Sequence, residues 1–280
     1  MGSHWLRDLP DVIGGAGLDY RLWPGWENRA RSSGGYDQVW AVFAHHTASS
    51  AEPDDDCSYM WEGSPDQPIG AVLLERSGRV TIGAAGATNT QGKGGPWKLS
   101  RGTIPLDKGN AYGIAVEAAN NGTGEQWPQA QTDAYTALCK ALCDAYGLDP
   151  GRDVLAHFEW VEPSCPGRKV DPVGPSPYAH GADSWDMDRF RDDVTACDTP
   201  TPPTPSEEDD LTDDQAKQLR ELHQYLLSQI GKDGQFVDPG GADLNLPWAA
   251  AWNWNYLSGP IDDKLNDIVA RLTRLEQKVT

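Results

Sequence analysis

Basic residues are scarce in this chain of 280 residues. Its 23 lysines and arginines stand against 42 aspartates and glutamates, which gives a formal net charge of −19. The sequence contains no cluster of lysine and arginine that could form a basic face. Because binding to phosphate groups requires such a face, we expect no nucleic-acid partner, and an anionic membrane surface is disfavoured for the same reason.

Long apolar runs are also missing. No stretch approaches the roughly 20 apolar residues of a transmembrane helix, and the first residues contain no run suited to a signal peptide. Gly2, Ser3 and His4 resemble a cloning remnant and are given no role. We therefore predict synthesis in a cytoplasm and no insertion into a membrane.

Cysteine is rare. The five cysteines form an odd count spread over a long chain, which is not typical of a disulfide framework. Reduced thiols are therefore the expected state, and each cysteine stays available as a candidate metal ligand. They are Cys57, Cys139, Cys143, Cys165 and Cys197.

One change in composition divides the chain. Residues 199–210 read T-P-T-P-P-T-P-S-E-E-D-D, which is typical of an extended, solvated linker. We predict a globular domain over residues 1–198 and a helical region over residues 211–280. That last region carries leucines at heptad-like spacing around a tryptophan-rich segment, which favours self-association or, alternatively, stacking on sugar rings.

Strand and helix signals are interleaved within residues 1–198. Apolar runs predict strands, and apolar residues at helical spacing predict helices; the strands cover 38–45, 71–75, 79–82, 112–118 and 154–158, and the helices cover 5–16, 128–147 and 186–196. The second and third strands form a predicted hairpin. This order predicts an α/β or α+β domain with a mixed central sheet flanked by helices.

Metal-binding side chains occur at two places. The first is the pair His45–His46 at the end of a predicted strand; the second is the segment 157–172, H-F-E-W-V-E-P-S-C-P-G-R-K-V-D-P, whose proline and glycine residues exclude a regular helix. Two histidines with one acidic or thiolate ligand form a zinc site with an open position, which is typical of hydrolases. Successive strand residues point to opposite faces, so only one of the paired histidines can bind, and their flanking residues do not decide which.

Three motifs together resemble a known family. V-F-A-H-H-T-A-S, then Y-G-I-A-V-E, then H-F-E-W with C-P-G-R-K-V-D-P occur in that order between residues 36 and 196. They resemble the zinc N-acetylmuramoyl-L-alanine amidases, which include phage endolysins, cytoplasmic muropeptide amidases and peptidoglycan-recognition proteins. The modular layout resembles an endolysin of a phage that infects actinobacteria, which implies synthesis in the host cytoplasm, action on the cell wall after release, and a wall-binding or oligomerising C-terminal region.

The resemblance implies a set of zinc ligands. His45 matches the first histidine of the family's H-H-T-A motif, and His157 matches the histidine after the late strand. The third ligand has two candidates: Asp171 matches the branch with the pattern P-G-R-K-x-D-P, and Cys165 matches the branch with a cysteine eight residues after the second histidine. We prefer Asp171 because it alone places a lysine, Lys169, two residues before the ligand; Cys165 remains the alternative.

The resemblance also implies catalytic residues. Glu117 lies where the aspartate branch has its catalytic glutamate, and Lys169 is expected to stabilise the oxyanion. Some members of the family use a catalytic tyrosine at the position where this chain has Gly70. Because glycine cannot fill that role, the resemblance assigns more of the catalysis to Glu117. Asn89 and Asn120 follow predicted strands in polar loops and are candidate substrate-binding residues.

The implied function is hydrolysis of the amide between N-acetylmuramic acid and L-alanine in peptidoglycan by zinc-activated water. The alternative is a non-catalytic peptidoglycan-binding module of the same fold. Relatives of that kind typically lose a zinc ligand, whereas this chain retains every ligand-type residue.

Overall fold

The computed structural model describes residues 2–64, 67–181 and 183–198. The predicted linker at 199–210 and the predicted helical region at 211–280 lie outside the described residues, so the domain boundary at residue 198 and self-association stay predictions. Within the described ranges, no helix is long and apolar enough to cross a membrane.

A six-stranded mixed sheet forms the centre of the domain. Its strand order is β1-β4-β3-β7-β2-β8, and every neighbouring pair is parallel except β3 and β4, which form the predicted antiparallel hairpin. A second sheet pairs β5 with β6. The strands are β1 Tyr20–Leu22, β2 Ala41–His46, β3 Val72–Leu74, β4 Val80–Ile82, β5 Trp97–Lys98, β6 Thr103–Ile104, β7 Gly113–Ala118 and β8 Val154–Ala156.

Helices cover both faces of the sheet. They are α1 Leu9–Gly15, α2 Pro53–Ser58, α3 Gly109–Tyr112, α4 Gln129–Tyr146, α5 Pro150–Asp153, α6 His157–Val161 and α7 Met187–Ala196, with a 3₁₀ turn at Trp26–Asn28 and a π-helical turn at Tyr59–Gly63. This architecture confirms the predicted mixed α/β class.

The longest helix packs on the first face of the sheet. Leu138 and Leu142 of α4 belong to one buried cluster with Val42 of β2 and Phe190 of α7. Burial of such side chains is the main favourable contribution to folding, at roughly 1.5–3 kcal/mol for each. β2, β7 and β8 also carry buried apolar residues of this cluster on the same face.

The second face is covered less evenly. Phe43, Leu155 and Trp160 form one small cluster there, and Leu73 packs with Trp61 of the π-helical turn in another. Between these clusters the carboxyl ends of the parallel strands remain accessible. In open α/β sheets this edge is the usual position of a binding site.

Two predicted elements differ from the structure. The strand predicted over 154–158 ends at Ala156, and the segment predicted to be irregular begins with α6 at His157. The carboxylate of Glu159 accepts a hydrogen bond from the Ala156 amide at 2.9 Å, which satisfies a free donor at the start of the helix. The helix predicted over 5–16 begins only at Leu9, one residue before Pro10, a residue favoured in the first turn.

Candidate metal centre and cleft

Three strands deliver the candidate residues to one edge of the sheet. β2 ends with His45 and His46, β7 carries Glu117 in register with His45, and His157 follows directly after β8. Residues in register on neighbouring parallel strands share a face, so His45 and Glu117 both lie on the less evenly covered face. These residues are far apart in the sequence, and the parallel pairing of β2 with β7 and β8 brings them together.

Two histidines and one aspartate converge at this edge. The Nδ1 atoms of His45 and His157 are 3.0 Å apart, and each is 3.0 Å from Oδ2 of Asp171. All three residues are buried. They form a group of side chains that could hold a metal ion, and they are the ligand set that the aspartate branch predicts.

The main chain fixes the orientation of His157. Its Nε2 atom lies 3.1 Å from the carbonyl oxygen of Gln91. Since a carbonyl only accepts, this hydrogen bond places the proton on Nε2 and leaves a lone pair on Nδ1. Metal-binding histidines are held in the same way, with the second ring nitrogen donating to a carbonyl or carboxylate.

The dimensions of the group fit a zinc ion. Zinc binds histidine nitrogen and carboxylate oxygen at about 2.0–2.2 Å with tetrahedral geometry, which separates neighbouring ligand atoms by roughly 3.3 Å. The three observed separations of 3.0 Å are close to that value. Lone pairs that converge at such distances repel one another unless a cation or a proton lies between them.

The charge states also suit a metal. Burial, followed by the proximity of His157, lowers the pKa of His45 to about 4, so this ring is neutral near pH 7. Burial acts to raise the pKa of Asp171, but the two imidazole groups beside it outweigh that effect and lower the pKa, so the carboxyl group is ionised. Neutral imidazole and ionised carboxylate are the forms that bind metal ions.

Cys165 does not belong to the group. Its side chain is half-buried and packs against the small apolar cluster that contains Phe43 and Trp160. The described residues place Asp171, and not the thiol, beside the two histidines.

Glu117 lines the same cleft as the three-residue group. It is buried, and its Oε2 atom has no hydrogen-bond partner within the described part of the chain. Burial raises the pKa of Glu117 well above its usual range, and the charge of Asp171 acts in the same direction. A buried carboxylate with an unpartnered oxygen binds a proton more readily, because protonation relieves the cost of its desolvated charge.

The cleft has a volume of about 830 Å³. Lys169 and Arg168 contribute positive charge to its lining, and Asn89 contributes an amide. The positive charge of Lys169 acts against the rise that burial and Asp171 cause in the pKa of Glu117. The predicted groove is therefore present, with its candidate catalytic residues on one surface.

The structure does not bring Asn120 to the cleft. Its side chain is fully buried, accepts a hydrogen bond from the Gly122 amide at 2.9 Å and donates to the carbonyl of Glu125 at 3.4 Å. These bonds stabilise the loop after β7. Of the two asparagines predicted to bind substrate, only Asn89 lines the cleft.

Sequence reasoning missed the wall of the cleft formed by α2 and the π-helical turn. Asp55, Asp56 and Tyr59 from this wall line the cleft. The sequence E-P-D-D-D at 52–56 contains a usable signal, since proline followed by acidic residues is favoured in the first turn of a helix.

A second missed residue is Tyr135 of α4. Its hydroxyl group accepts a hydrogen bond from the His45 amide at 2.9 Å and lies 3.0 Å from the His45 carbonyl and 3.2 Å from that of Val116. It thereby connects α4 to β2 and β7 at the residues that carry the site. Helical spacing marks this tyrosine as a core residue, and no sequence pattern indicates the contact.

A mixed sheet that presents two histidines, an aspartate and a buried glutamate around one cleft is the arrangement of a metal-dependent hydrolase. Residues 35–174 match the family model described as N-acetylmuramoyl-L-alanine amidase (Amidase_2). The chain belongs to this family and is an enzyme of that class, for which peptidoglycan is the substrate.

Several solved structures are similar to this chain. The Staphylococcus aureus hydrolase AmiA in complex with its ligand is 17% identical, with 67% of this chain and 88% of that chain covered and a TM-score of 0.41. A selenomethionine derivative of AmpD is 18% identical, covering 61% and 96% with a TM-score of 0.41. The amidase LysC from Clostridium intestinale URNW is 11% identical, covering 64% and 97% with a TM-score of 0.39. A search of curated proteins gives no significant match.

Proposed function

We propose that the protein hydrolyses the amide between the lactyl group of N-acetylmuramic acid and L-alanine, with zinc held by His45, His157 and Asp171. The observation that carries this proposal is the convergence of three ligand atoms, 3.0 Å apart, in the cleft that Glu117 and Lys169 also line. Zinc in such a site polarises the substrate carbonyl and lowers the pKa of water toward about 7.

Glu117 moves the proton in this mechanism. Its buried carboxylate accepts a proton from the attacking water as the new carbon–oxygen bond forms. It then gives the proton to the alanine nitrogen as the carbon–nitrogen bond breaks, so that the products are a lactyl carboxylic acid and a free amine. The elevated pKa of Glu117 suits both steps, because the same group must first take up and then release one proton.

Lys169 supplies positive charge where negative charge develops. The carbonyl oxygen gains charge in the tetrahedral intermediate, and an ammonium group in the same cleft stabilises it. Asn89 also lines the cleft and is proposed to hydrogen-bond the peptide part of the substrate.

Hydrolysis of a purified muramoyl peptide tests the proposal. We expect the full chain to release peptides with a new L-alanine amino terminus, a chelator to stop the reaction, and added zinc to restore it. Cleavage at another bond would contradict the substrate assignment. Full activity after complete removal of metal would contradict the role of the three ligands.

We further propose an endolysin role, in which the enzyme is made in a host cytoplasm and degrades the wall after release. The support is the modular layout of the sequence, with residues 199–210 as a linker and 211–280 as an attached region. Lysis of actinobacterial walls by the full chain tests this role. Activity confined to soluble muropeptides would contradict it.

A further inference from the structure

One rim of the metal cleft is a loop rather than a helix or a strand. This cleft loop covers residues 47–52, between β2 and α2, and four of its residues line the cleft: Thr47, Ala48, Ser49 and Ala51. All residues of the loop are half-buried or exposed. Burial of apolar surface, the main stabilising contribution elsewhere in the domain, therefore does little to hold this rim in place.

The cleft loop lies between two open spaces. A second cavity, of about 680 Å³, is lined by Ser50 and Ala51 of the loop and by Arg76 and Glu125, among others. Ala51 also lines the metal cleft. Because Ala51 borders both cavities, close packing alone does not fix the position of the loop, and polar contacts contribute more.

The backbone of the cleft loop is strained at Ala48. Its φ angle is 52°, in the left-handed region, where the Cβ atom of alanine comes too close to the backbone. Glycine has no Cβ atom and adopts this region freely. A residue other than glycine keeps such a conformation only where its surroundings hold it. Loss of those surroundings would let the cleft loop relax to another path.

Arg76, in the turn between β3 and β4, donates two hydrogen bonds to the cleft loop. Nη2 donates to the carbonyl oxygen of Ser49 at 2.9 Å, and Nη1 donates to that of Ala51 at 3.2 Å. Both carbonyls follow Ala48 closely in the chain, so the two bonds fix the path of the strained segment. A guanidinium group suits this task because its donors point in fixed directions, whereas a lysine ammonium group is a single point of charge.

Glu125 holds the guanidinium group of Arg76 in place. Nε donates to Oε1 at 2.5 Å, and Nη2 donates to Oε2 at 3.1 Å. Oε2 also accepts a hydrogen bond from the Asn121 amide at 2.7 Å, which connects the pair to the loop after β7. The two side chains are only 27% and 23% exposed, and the guanidinium group lowers the pKa of Glu125. A half-buried pair with two hydrogen bonds is stronger than a single exposed contact.

We propose that Arg76 is a positioning residue for the amidase reaction: together with Glu125 it holds the cleft loop in the conformation that receives the substrate. This assignment rests on the proposed function. Arg76 is not among the residues that line the metal cleft, so it acts through the loop and not by contact with the substrate. Without the pair, only a fraction of the molecules has the loop in this conformation, and the apparent affinity for substrate falls by that fraction.

Kinetics of muramoyl peptide hydrolysis by the full chain test the assignment. We expect Arg76→Ala to raise KM about fivefold and to change kcat by less than about twofold, because bound substrate restores the loop. Arg76→Lys keeps the charge but loses the fixed directions, so its KM lies between those of the parent and Arg76→Ala. Unchanged KM in Arg76→Ala would overturn the assignment. So would a fall in kcat larger than the rise in KM, since the loop would then act on the chemical step.

Relief of the strain at Ala48 gives a second test of opposite sign. Glycine adopts the left-handed conformation freely, so Ala48→Gly favours the held conformation of the cleft loop even without Arg76. We expect Ala48→Gly to lower the KM of Arg76→Ala about twofold. In the parent, where the loop is already held, the same change lowers KM less. Equal effects of Ala48→Gly in both backgrounds would overturn the assignment, because Ala48 and Arg76 would then act independently.

Arg79→Ala is the matched control from the same hairpin. Arg79 donates from Nε to Asp19 at 2.9 Å, and these side chains are 45% and 70% exposed. Exposed pairs of this kind contribute little, and neither residue lines the metal cleft. KM and kcat of Arg79→Ala therefore stay those of the parent. A rise in KM equal to that of Arg76→Ala would reveal a general effect of charge on the hairpin and would overturn the assignment.

Amide hydrogen exchange gives a measurement that does not depend on turnover. We expect the Ser49 and Ala51 amides of the full chain to exchange at least about fivefold faster in Arg76→Ala, whereas the His45 amide keeps the parent rate. Unchanged exchange at Ser49 and Ala51 would overturn the assignment even in an active enzyme. If the parent cleaves no muramoyl peptide but these amides exchange faster in the variant, the proposed function fails while the role of Arg76 in holding the loop stands.

Discussion

Two buried aspartates of this domain have opposite surroundings. Asp153 is 0% exposed, and its carboxylate accepts hydrogen bonds from the Ser100 amide at 2.8 Å, the Ser100 hydroxyl at 2.5 Å and the Asp149 amide at 2.8 Å. Asp171 is 8% exposed, and its Oδ2 atom faces two histidine nitrogens at 3.0 Å. Donors satisfy the first carboxylate, whereas atoms with lone pairs surround the second.

This difference separates a structural carboxylate from a proposed metal ligand. A buried carboxylate that receives several hydrogen bonds needs nothing further and connects parts of the fold. A buried carboxylate that faces two nitrogens, one of them left unprotonated by its bond to Gln91, requires a cation or a proton between them. The hydrogen bonds of Asp153 need no ligand, whereas the three converging atoms around Asp171 support the proposed metal site.

Substitution of Asp171 is the strongest test of the comparison. We expect Asp171→Ala to lose bound zinc and all activity, because two histidines alone hold the ion weakly. Zinc content by mass spectrometry and amide hydrolysis measure the effect. Cys165→Ser is the control, and we expect it to keep both its zinc content and its activity. If Cys165→Ser lost zinc while Asp171→Ala retained it, the assignment of the third ligand would be reversed.

Substitution of Glu117 separates catalysis from metal binding. We expect Glu117→Gln to lower kcat by about 10²- to 10⁴-fold, the usual contribution of a general acid–base group. Zinc content stays the same, because Glu117 is not one of the three converging ligands. A variant that retains more than a tenth of the parent kcat would remove Glu117 from the mechanism.

Asp153 is expected to behave in the opposite way to Asp171. Asp153→Ala leaves the Ser100 and Asp149 amides without an acceptor, so we expect the free energy of unfolding to fall by about 3 kcal/mol. Zinc content and kcat of the folded fraction remain those of the parent. Denaturant titration checks the first expectation, and loss of zinc would show that the two aspartates do not differ in role.

Substitution of Tyr135 has the smallest expected effect of the four. We expect Tyr135→Phe to cost about 1 kcal/mol of stability and to weaken zinc binding a fewfold, because its hydroxyl holds the main chain of His45. Tyr146→Phe is the matched control on the same helix, since it loses one exposed bond to Asp8. Chelator competition measures zinc affinity; equal affinities in both variants would assign Tyr135 to stability alone.

Much of the fold was predictable from local patterns. The hairpin of β3 and β4, the long α4 and the final α7 follow from apolar spacing and from turn residues such as Gly147, which adopts the left-handed conformation after α4. The α2 wall, α5 and α6 were not predicted. They are short, and their few residues give too weak a periodic signal to separate from a loop.

The site was predictable in part. Alternation along β7 correctly places Glu117 on the face opposite Val116, which packs into the main core. The choice between Asn89 and Asn120 could not be made in this way. Both follow strands in polar loops, and only the path of each loop decides whether its amide faces the cleft or the loop itself.

By itself the sequence determined the mixed sheet, because strand alternation is a property of neighbouring positions. The resemblance of its motifs indicated the family and the candidate site residues His45, Glu117, His157 and Lys169. Tertiary structure brings Asp171, and not Cys165, beside His45 and His157. Asp171 and Cys165 lie in one short segment, and their sequence spacing from His157 suits either branch of the family. The packing of the segment turns the carboxylate toward His45 and the thiol toward the apolar cluster beside Phe43, and such packing depends on contacts between residues far apart in the chain.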